Sequence, residues 1–442
     1  MRETGAERPG PGNTRDERAL LRFLLFLGSG MTMSGEAVNE IQDHLIEVAA
    51  AYGAPHARVA VLPTYLEIAL EPGRAVTLEP TRQLGGLLRL DQAAALYQLL
   101  RVAKKGAIEP EEGRRRVLEI VEMRPRFGRW PTVLGHAVLT AGICLVLQPT
   151  WGDIVVAALF GLVVGGLKLV GARLPSVQLI MPVAVSFIVA VITFLLAGQG
   201  WADADLRAMI APLVTYLPGA ALTMSVVELS AGEMVTGASR LVAGTLQLLL
   251  LAFGITAATQ VVTVPGAADL ISSPQNLIGW WAPWLGVLVV GVGTYLYHSA
   301  PKRSLGWLLV VLVAAWLGQF VGNEIFGGYL SGFFGALAMT PVAYFVERRP
   351  SGPPALVSFL PAFWLLVPGA LGLIGVTEYL GQNGFTGSPE QNGLVATQDL
   401  FGTVWSMISI ALGVLCGYPL YRSLAHSLGW LRRPFSEFRS PG

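Results

Sequence analysis

At 442 residues, with 53% hydrophobic and only 13% charged residues, the chain carries about half the charge of an ordinary soluble domain, which argues against a soluble globular protein. A net charge of +1 leaves no footprint for nucleic acid, and the two cysteines, Cys144 and Cys416, lie in apolar runs that exclude a disulfide framework or a Cys-based metal centre. The charge is also uneven: residues 1–130 hold 18 Lys/Arg and 17 Asp/Glu, whereas residues 131–421 hold only 8 and 11, so a polar front end precedes an apolar remainder.

In chain order, residues 1–19 are rich in Gly, Pro, Arg and Glu without apolar periodicity and read as a disordered leader. The run Leu20 to Leu27 is apolar apart from Arg22, but acidic residues precede it and no small-residue cleavage site follows, which speaks against a signal peptide. Leu21, Leu24, Leu25, Val38, Ile41, Leu45 and Val48 fall at helical spacing and predict two helices, parted around Gly28-Ser29-Gly30. The alternating runs Ala57 to Leu62 and Tyr65 to Leu70, joined at Pro63-Thr64 and closed by Pro72-Gly73, predict strands. Asp91 as an N-cap opens a helix through Ala95, Leu96, Leu99, Leu100 and Val102, and Glu111 to Met123 forms another. Residues 20–125 are thus expected to form a small cytosolic α+β domain, large enough to bury its own core. It contains no nucleophile elbow, phosphate-binding loop or zinc-protease motif. The chain's five histidines, His44, His56, His136, His298 and His426, are scattered singly. Arg114, Arg115, Arg116, Arg124, Arg126 and Arg129 fit the cytosolic excess of positive charge and could also touch anionic lipid.

A membrane-spanning helix needs about 20 mainly apolar residues, because the hydrocarbon core is roughly 30 Å thick. From Trp130 onward this rule predicts ten spans, at about 132–148, 154–171, 178–197, 208–227, 239–263, 280–298, 305–322, 325–346, 355–379 and 400–421. They fall into a first half, spans one to five within 130–298 and ending near 263, and a second half, spans six to ten within 280–421, with a cytosolic tail at 422–442. Lys168, Arg173, Arg240, Lys302, Arg303, Arg348, Arg349 and Arg422 are assigned to loops on the side of the front end, and only Arg207 to the other, which places both termini in the cytosol. Asp203, Asp205 and the long segment Leu380 to Asp399 fall outside.

The most specific internal signal is a repeat. Pro218-Gly219-Ala220, running to Glu228, aligns with Pro368-Gly369-Ala370, running to Glu378, at an offset of 150 residues, with Val226 matching Val376. Each Pro-Gly pair falls near the middle of the fourth span of its five-span half, and five being odd, the halves run in opposite directions through the bilayer. Proline lacks an N–H and glycine weakens a helix, so such a pair frees backbone carbonyls and amides that hydrocarbon tolerates only where they face protein, water or ligand. Pro218, Gly219, Pro368 and Gly369 are therefore candidate substrate-site residues, with a packing kink as the competing reading. Glu228 and Glu378 lie ten residues past their prolines, roughly 15 Å along a helix, and are either interfacial carboxylates or pseudo-symmetric gating or proton-coupling groups. Thr223 and Ser225 could offer hydroxyls to a zwitterionic ligand or bond back to their own helix. Asp153 joins the coupling candidates, although it and Glu324 also suit an N-cap. Gly161, Gly165, Gly166, Gly327, Gly328, Gly332 and Gly335 are expected to let helices pack closely.

The order Ser29-Gly30, Glu36, Val61-Leu62-Pro63-Thr64 and Arg89-Leu90, then Trp151-Gly152-Asp153 and Tyr216-Leu217-Pro218-Gly219-Ala220, resembles the bacterial threonine/serine exporter family. The match continues through Gly237, Arg240 and Leu241 to Val367-Pro368-Gly369 and covers residues from about 20 to 421, in the fused two-half form seen in actinobacteria. The resemblance implies export of threonine and serine across the plasma membrane, driven by the proton motive force, with no cofactor and no nucleotide hydrolysis. Lipid is then the other expected partner, no nucleic acid is implied, and a homo-oligomer is compatible with the reading. Two alternatives stand beside it: a transporter of another small metabolite, and a membrane receptor or scaffold. An enzyme is disfavoured because the spans supply no nucleophile with a base and no metal-ligand spacing.

Overall fold

The computed structural model describes residues 14–70, 77–80, 87–147, 150–172, 174–198, 209–262, 278–349, 351–366, 373, 376–377 and 389–431. It is mainly helical and divides into two compact units, one of residues 1–124 with 231–236, the other of residues 125–230 with 237–442.

The front unit begins with α1 (Thr14–Met33) and α2 (Val38–Ala51). α1 starts inside the expected leader and runs unbroken through Gly28-Ser29-Gly30, contrary to the expected break. The reason is packing: a Cβ on Gly28 would sit 2.8 Å from side-chain carbons of Leu45 and of Leu66, and one on Gly30 3.1 Å from Leu96, so these glycines admit neighbours rather than end the helix. The turn falls later, where Gly35 adopts φ +82°. β1 (Arg58–Val61), β2 (Tyr65–Ala69) and β3 (Thr77–Pro80) form an antiparallel sheet in that order, with Val61 opposite Leu66 and Leu66 opposite Glu79. The first two fall within the predicted runs; β3 was not foreseen. α3 (Leu90–Ala103) is capped by Gln92, whose Oε1 accepts from the Arg89 amide at 3.0 Å, so Asp91 lies inside the first turn rather than at the cap. α4 (Pro110–Val121) follows, and the Gln92 amide nitrogen closes its C-terminus on the Ile120 and Val121 carbonyls. Phe23, Leu24, Leu27, Ile41, Leu45, Leu66 and Leu96 fill the core, while Arg114, Arg115 and Arg116 pair with Glu111, Glu112 and Glu119 on the exposed face of α4.

The second unit is a helical bundle: α5 (Arg129–Val146), α6 (Trp151–Gly171), the short α7 (Pro175–Gln178), α8 (Met181–Gly198), a 3₁₀ turn (Ala211–Tyr216), α9 (Gly219–Ser230), α10 (Met234–Val261), α11 (Ala282–Tyr297), α12 (Leu305–Phe326), α13 (Gly328–Glu347), α14 (Ala355–Leu366) and α15 (Pro389–Leu431). Six helical stretches, within α5, α6, α10, α12, α13 and α15, are long and apolar enough to cross a membrane. Four shorter apolar helices, α8, α9, α11 and α14, accompany them. Apolar side chains such as Val155, Leu159 and Val170 of α6 point outward, as a multi-pass membrane protein requires.

Glycine sets the closest helix contacts. A Cβ at Gly135 of α5 would lie 2.6 Å from the Tyr297 amide, one at Gly142 2.6 Å from the Val290 amide, and one at Gly286 of α11 2.9 Å from the Gly142 carbonyl. With Gly293 against Leu139, these residues bring the α5 and α11 backbones together along their length. Gly161 and Gly165 do the same for α6, facing Ala137 and His136 of α5. Gly332 meets Ile410 and Gly335 meets Leu366, as expected of packing residues, whereas Gly166 and Gly327 face open space and Gly328 has only Asn323 near it. Apolar residues of α6, α8, the 3₁₀ turn, α9 and α10 form one core, including Phe160, Val185, Leu213, Leu222 and Leu251.

Candidate functional site

The helical path from Ala211 to Ser230 is interrupted where the sequence requires it. The 3₁₀ turn ends at Tyr216, Leu217 is extended (φ −67°, ψ 129°), and α9 restarts at Gly219. In an unbroken helix the Thr215 and Tyr216 carbonyls would bond amides four residues on. Here side chains from other helices take them: Lys168 of α6 donates to the Thr215 carbonyl at 3.3 Å, and Gln247 of α10 donates to the Tyr216 carbonyl at 3.3 Å. The break thus recruits polar partners from both sides instead of leaving bare acceptors.

A polar network grows from it. Lys168 Nζ also donates to Thr215 Oγ1 at 2.6 Å and lies 4.1 Å from the centre of the Tyr216 ring and 5.6 Å from that of Tyr297. His136, fully buried on α5, places Nδ1 2.9 Å from the Gly161 carbonyl and Nε2 3.0 Å from Thr215 Oγ1. A carbonyl only accepts, so Nδ1 carries the proton, Nε2 accepts from the Thr215 hydroxyl, and that hydroxyl in turn accepts from Lys168. Aromatic contacts extend the cluster: His136 to Tyr297 at 4.9 Å, Tyr297 to His298 at 4.6 Å, and His298 to Trp364 of α14 at 5.0 Å between ring centres. Close approach at Gly135 and Gly165 is what lets α5, α6 and α11 converge here.

The predicted site residues divide around this cluster. Pro218 and Gly219 form the break itself. Thr223 is fully buried and, among the described residues, its hydroxyl has no hydrogen-bond partner, while Ser225 bonds back to the Leu222 carbonyl at 2.6 Å. Glu228, in the last turn of α9 and inaccessible to solvent, is ion-paired with Arg240 of α10, Oε1 to Nη2 2.9 Å. Asp153 is buried at the start of α6, where its Oδ2 accepts from the Thr150 amide and hydroxyl, both at 2.8 Å. It caps the helix at the end opposite Lys168, ~22 Å along the axis. Pro368, Gly369 and Glu378 lie outside the described residues. Lys168 and Arg240, expected in loops, belong instead to α6 and α10.

Sequence reasoning missed His136, Lys168, Thr215, Tyr297 and His298. One signal was available: a lysine within an apolar span is a functional candidate in itself. No group of three or more His, Cys, Asp or Glu residues suited to hold a metal ion occurs among the described residues.

Comparison with known proteins bears on this arrangement. A family model described as "Putative threonine/serine exporter" matches residues 22–262, more than half of the chain, from α1 through α10. The chain belongs to the threonine/serine exporter family. It is also 24% identical, over 373 residues, to a Mycobacterium tuberculosis (strain ATCC 25618 / H37Rv) protein named "Probable threonine/serine exporter", covering 80% of this chain and 68% of that one. No solved structure matches it. Membership of an exporter family, together with the apolar helices, supports an exporter role for this multi-pass membrane protein.

Proposed function

We propose that this family member is a secondary exporter of threonine and serine across the plasma membrane, driven by the proton motive force. In this reading the six long and four shorter apolar helices make ten spans in two inverted halves of five, and both termini are cytosolic. The front unit is then a cytosolic α+β domain. The observation that carries the proposal is the interrupted path at Leu217-Pro218-Gly219, whose freed carbonyls meet a lysine and a glutamine from neighbouring apolar helices. Broken helices of this kind form substrate sites between the moving halves of secondary transporters. Glu228, paired with Arg240 at the end of α9, is the described carboxylate best placed to couple proton movement to that motion.

The test is efflux of labelled threonine and serine from proteoliposomes under an imposed proton gradient, comparing wild type with Glu228→Gln and Glu378→Gln. Gradient-dependent efflux that either substitution abolishes is the expected result. Efflux that ignores the gradient would remove the coupling, and no efflux of either amino acid from folded protein would remove the substrate assignment.

A further inference from the structure

Lys168 has an unusual environment for a cation inside a membrane helix. Its ammonium contacts the hydroxyl and carbonyl of Thr215 and the faces of Tyr216 and Tyr297, all electron-rich and all neutral. Among the described residues no carboxylate lies within 4.0 Å of it. Contrast Arg240 of α10, which has Glu228 at 2.9 Å. Two of the three N–H donors of Lys168 are used on Thr215, leaving one for a further acceptor.

The helix that carries Tyr297, whose ring lies 5.6 Å from the ammonium, holds polar atoms that are not used. Thr294 of α11 is fully buried, and its Oγ1 has no hydrogen-bond partner among the described residues. Nor does the buried Nε2 of His298, one turn further along, whose amide bonds the Thr294 carbonyl at 2.9 Å. His136 shares the Thr215 hydroxyl with Lys168, and His298 directly follows Tyr297, whose ring lies 5.6 Å from the ammonium. A part-buried cation with no carboxylate within 4.0 Å among the described residues, set against the ring of Tyr297 on the helix that carries these unpartnered groups, suits a small anionic ligand with polar groups of its own.

We infer that Lys168 binds the α-carboxylate of the exported amino acid at the helix break, with Thr215 orienting the ammonium and Thr294 and His298 lining the ligand's polar side. This rests on the exporter reading and adds to it the residue that recognises the part of the substrate common to all amino acids. A charge-assisted hydrogen bond in an apolar site favours a carboxylate over a neutral group by about tenfold or more.

The experiment measures binding of L-threonine and of L-threoninol, which keeps the amine and the side-chain hydroxyl but has no carboxylate, to full-length protein in an uncharged detergent free of phospholipid. Wild type is expected to bind threonine at least about tenfold more tightly than threoninol. Lys168→Met should abolish the preference by weakening threonine binding, and Lys168→Arg should restore it. Equal binding of the two ligands by wild type, a measurement that needs no variant to fold, would overturn the inference. So would a preference that survives in Lys168→Met, with threonine efflux intact, and in that case the exporter reading stands alone. Absence of both threonine binding and threonine efflux from wild type would overturn the two together.

Discussion

The front unit and the helical unit solve opposite problems with the same residues. In the front unit leucines and Phe23 are inside, glycines 28 and 30 make room for them, and charge is spent on exposed ion pairs along α4. In the helical unit many apolar side chains also face outward, the closest approaches are of glycine to backbone, and polar groups such as His136, Lys168 and Thr215 meet across helices. Leucine burial dominates in one, and close glycine-mediated approach of backbones adds to an apolar core in the other. A given substitution should therefore cost very different amounts in the two units.

The largest expected effect is at the α5–α11 seam. Valine at Gly293 or Gly142 would drive its side chain into the opposing backbone, which cannot move aside, and should cost more than ~3 kcal/mol, read as loss of monodisperse protein on size exclusion. Gly166→Ala, where nothing lies within 4 Å, should leave the elution profile unchanged. If the two behave alike, backbone contact is not what holds this unit together. Next comes Arg240→Gln, which strips the buried Glu228 of its cation and should cost ~3 kcal/mol in thermal unfolding, with Glu228→Gln added to Arg240→Gln recovering much of it.

The smallest effect tests the front unit. Burial, and then the Lys104 ammonium 2.9 Å from its ring, hold His44 down at about 4, below its ordinary 6.5. The unfolded chain therefore takes up this proton first, so the unit loses stability as pH falls from 6.5 towards 4, and the loss is complete below that. Hydrogen-exchange protection of α2 and α3 should drop over this window by roughly 1–3 kcal/mol, and His44→Gln should flatten the drop. An unchanged slope in the variant would place the acid sensitivity of this unit elsewhere.

What could be read from the sequence followed local physics. Hydropathy placed a helix in each apolar window, and proline chemistry placed the interruption at Pro218, because both effects act within a few residues. Glycine was ambiguous for the same reason. Gly28 and Gly30 look like a break locally and become packing positions only when Leu45, Leu66 and Leu96 arrive from other elements. The cap of α3 went to Gln92 rather than Asp91 because Gln92 also reaches the end of α4, a tertiary gain that no local preference records. The cluster at the break was the least legible part. Lys168 looks like a loop cation and His136 like a lone histidine until the fold sets both on Thr215, 47 and 79 residues away.

The seam between α5 and α11 has a consequence for how such proteins are put together. The family match ends at residue 262, yet the glycine face of α5, with His136 on it, is covered by α11 at Ala282–Tyr297. A polypeptide consisting of the matched part alone would present Gly135 and Gly142 as an open backbone groove and would lack Tyr297 and His298 from the polar cluster. To rebuild what this chain carries in one piece, it would need a helix from a second polypeptide.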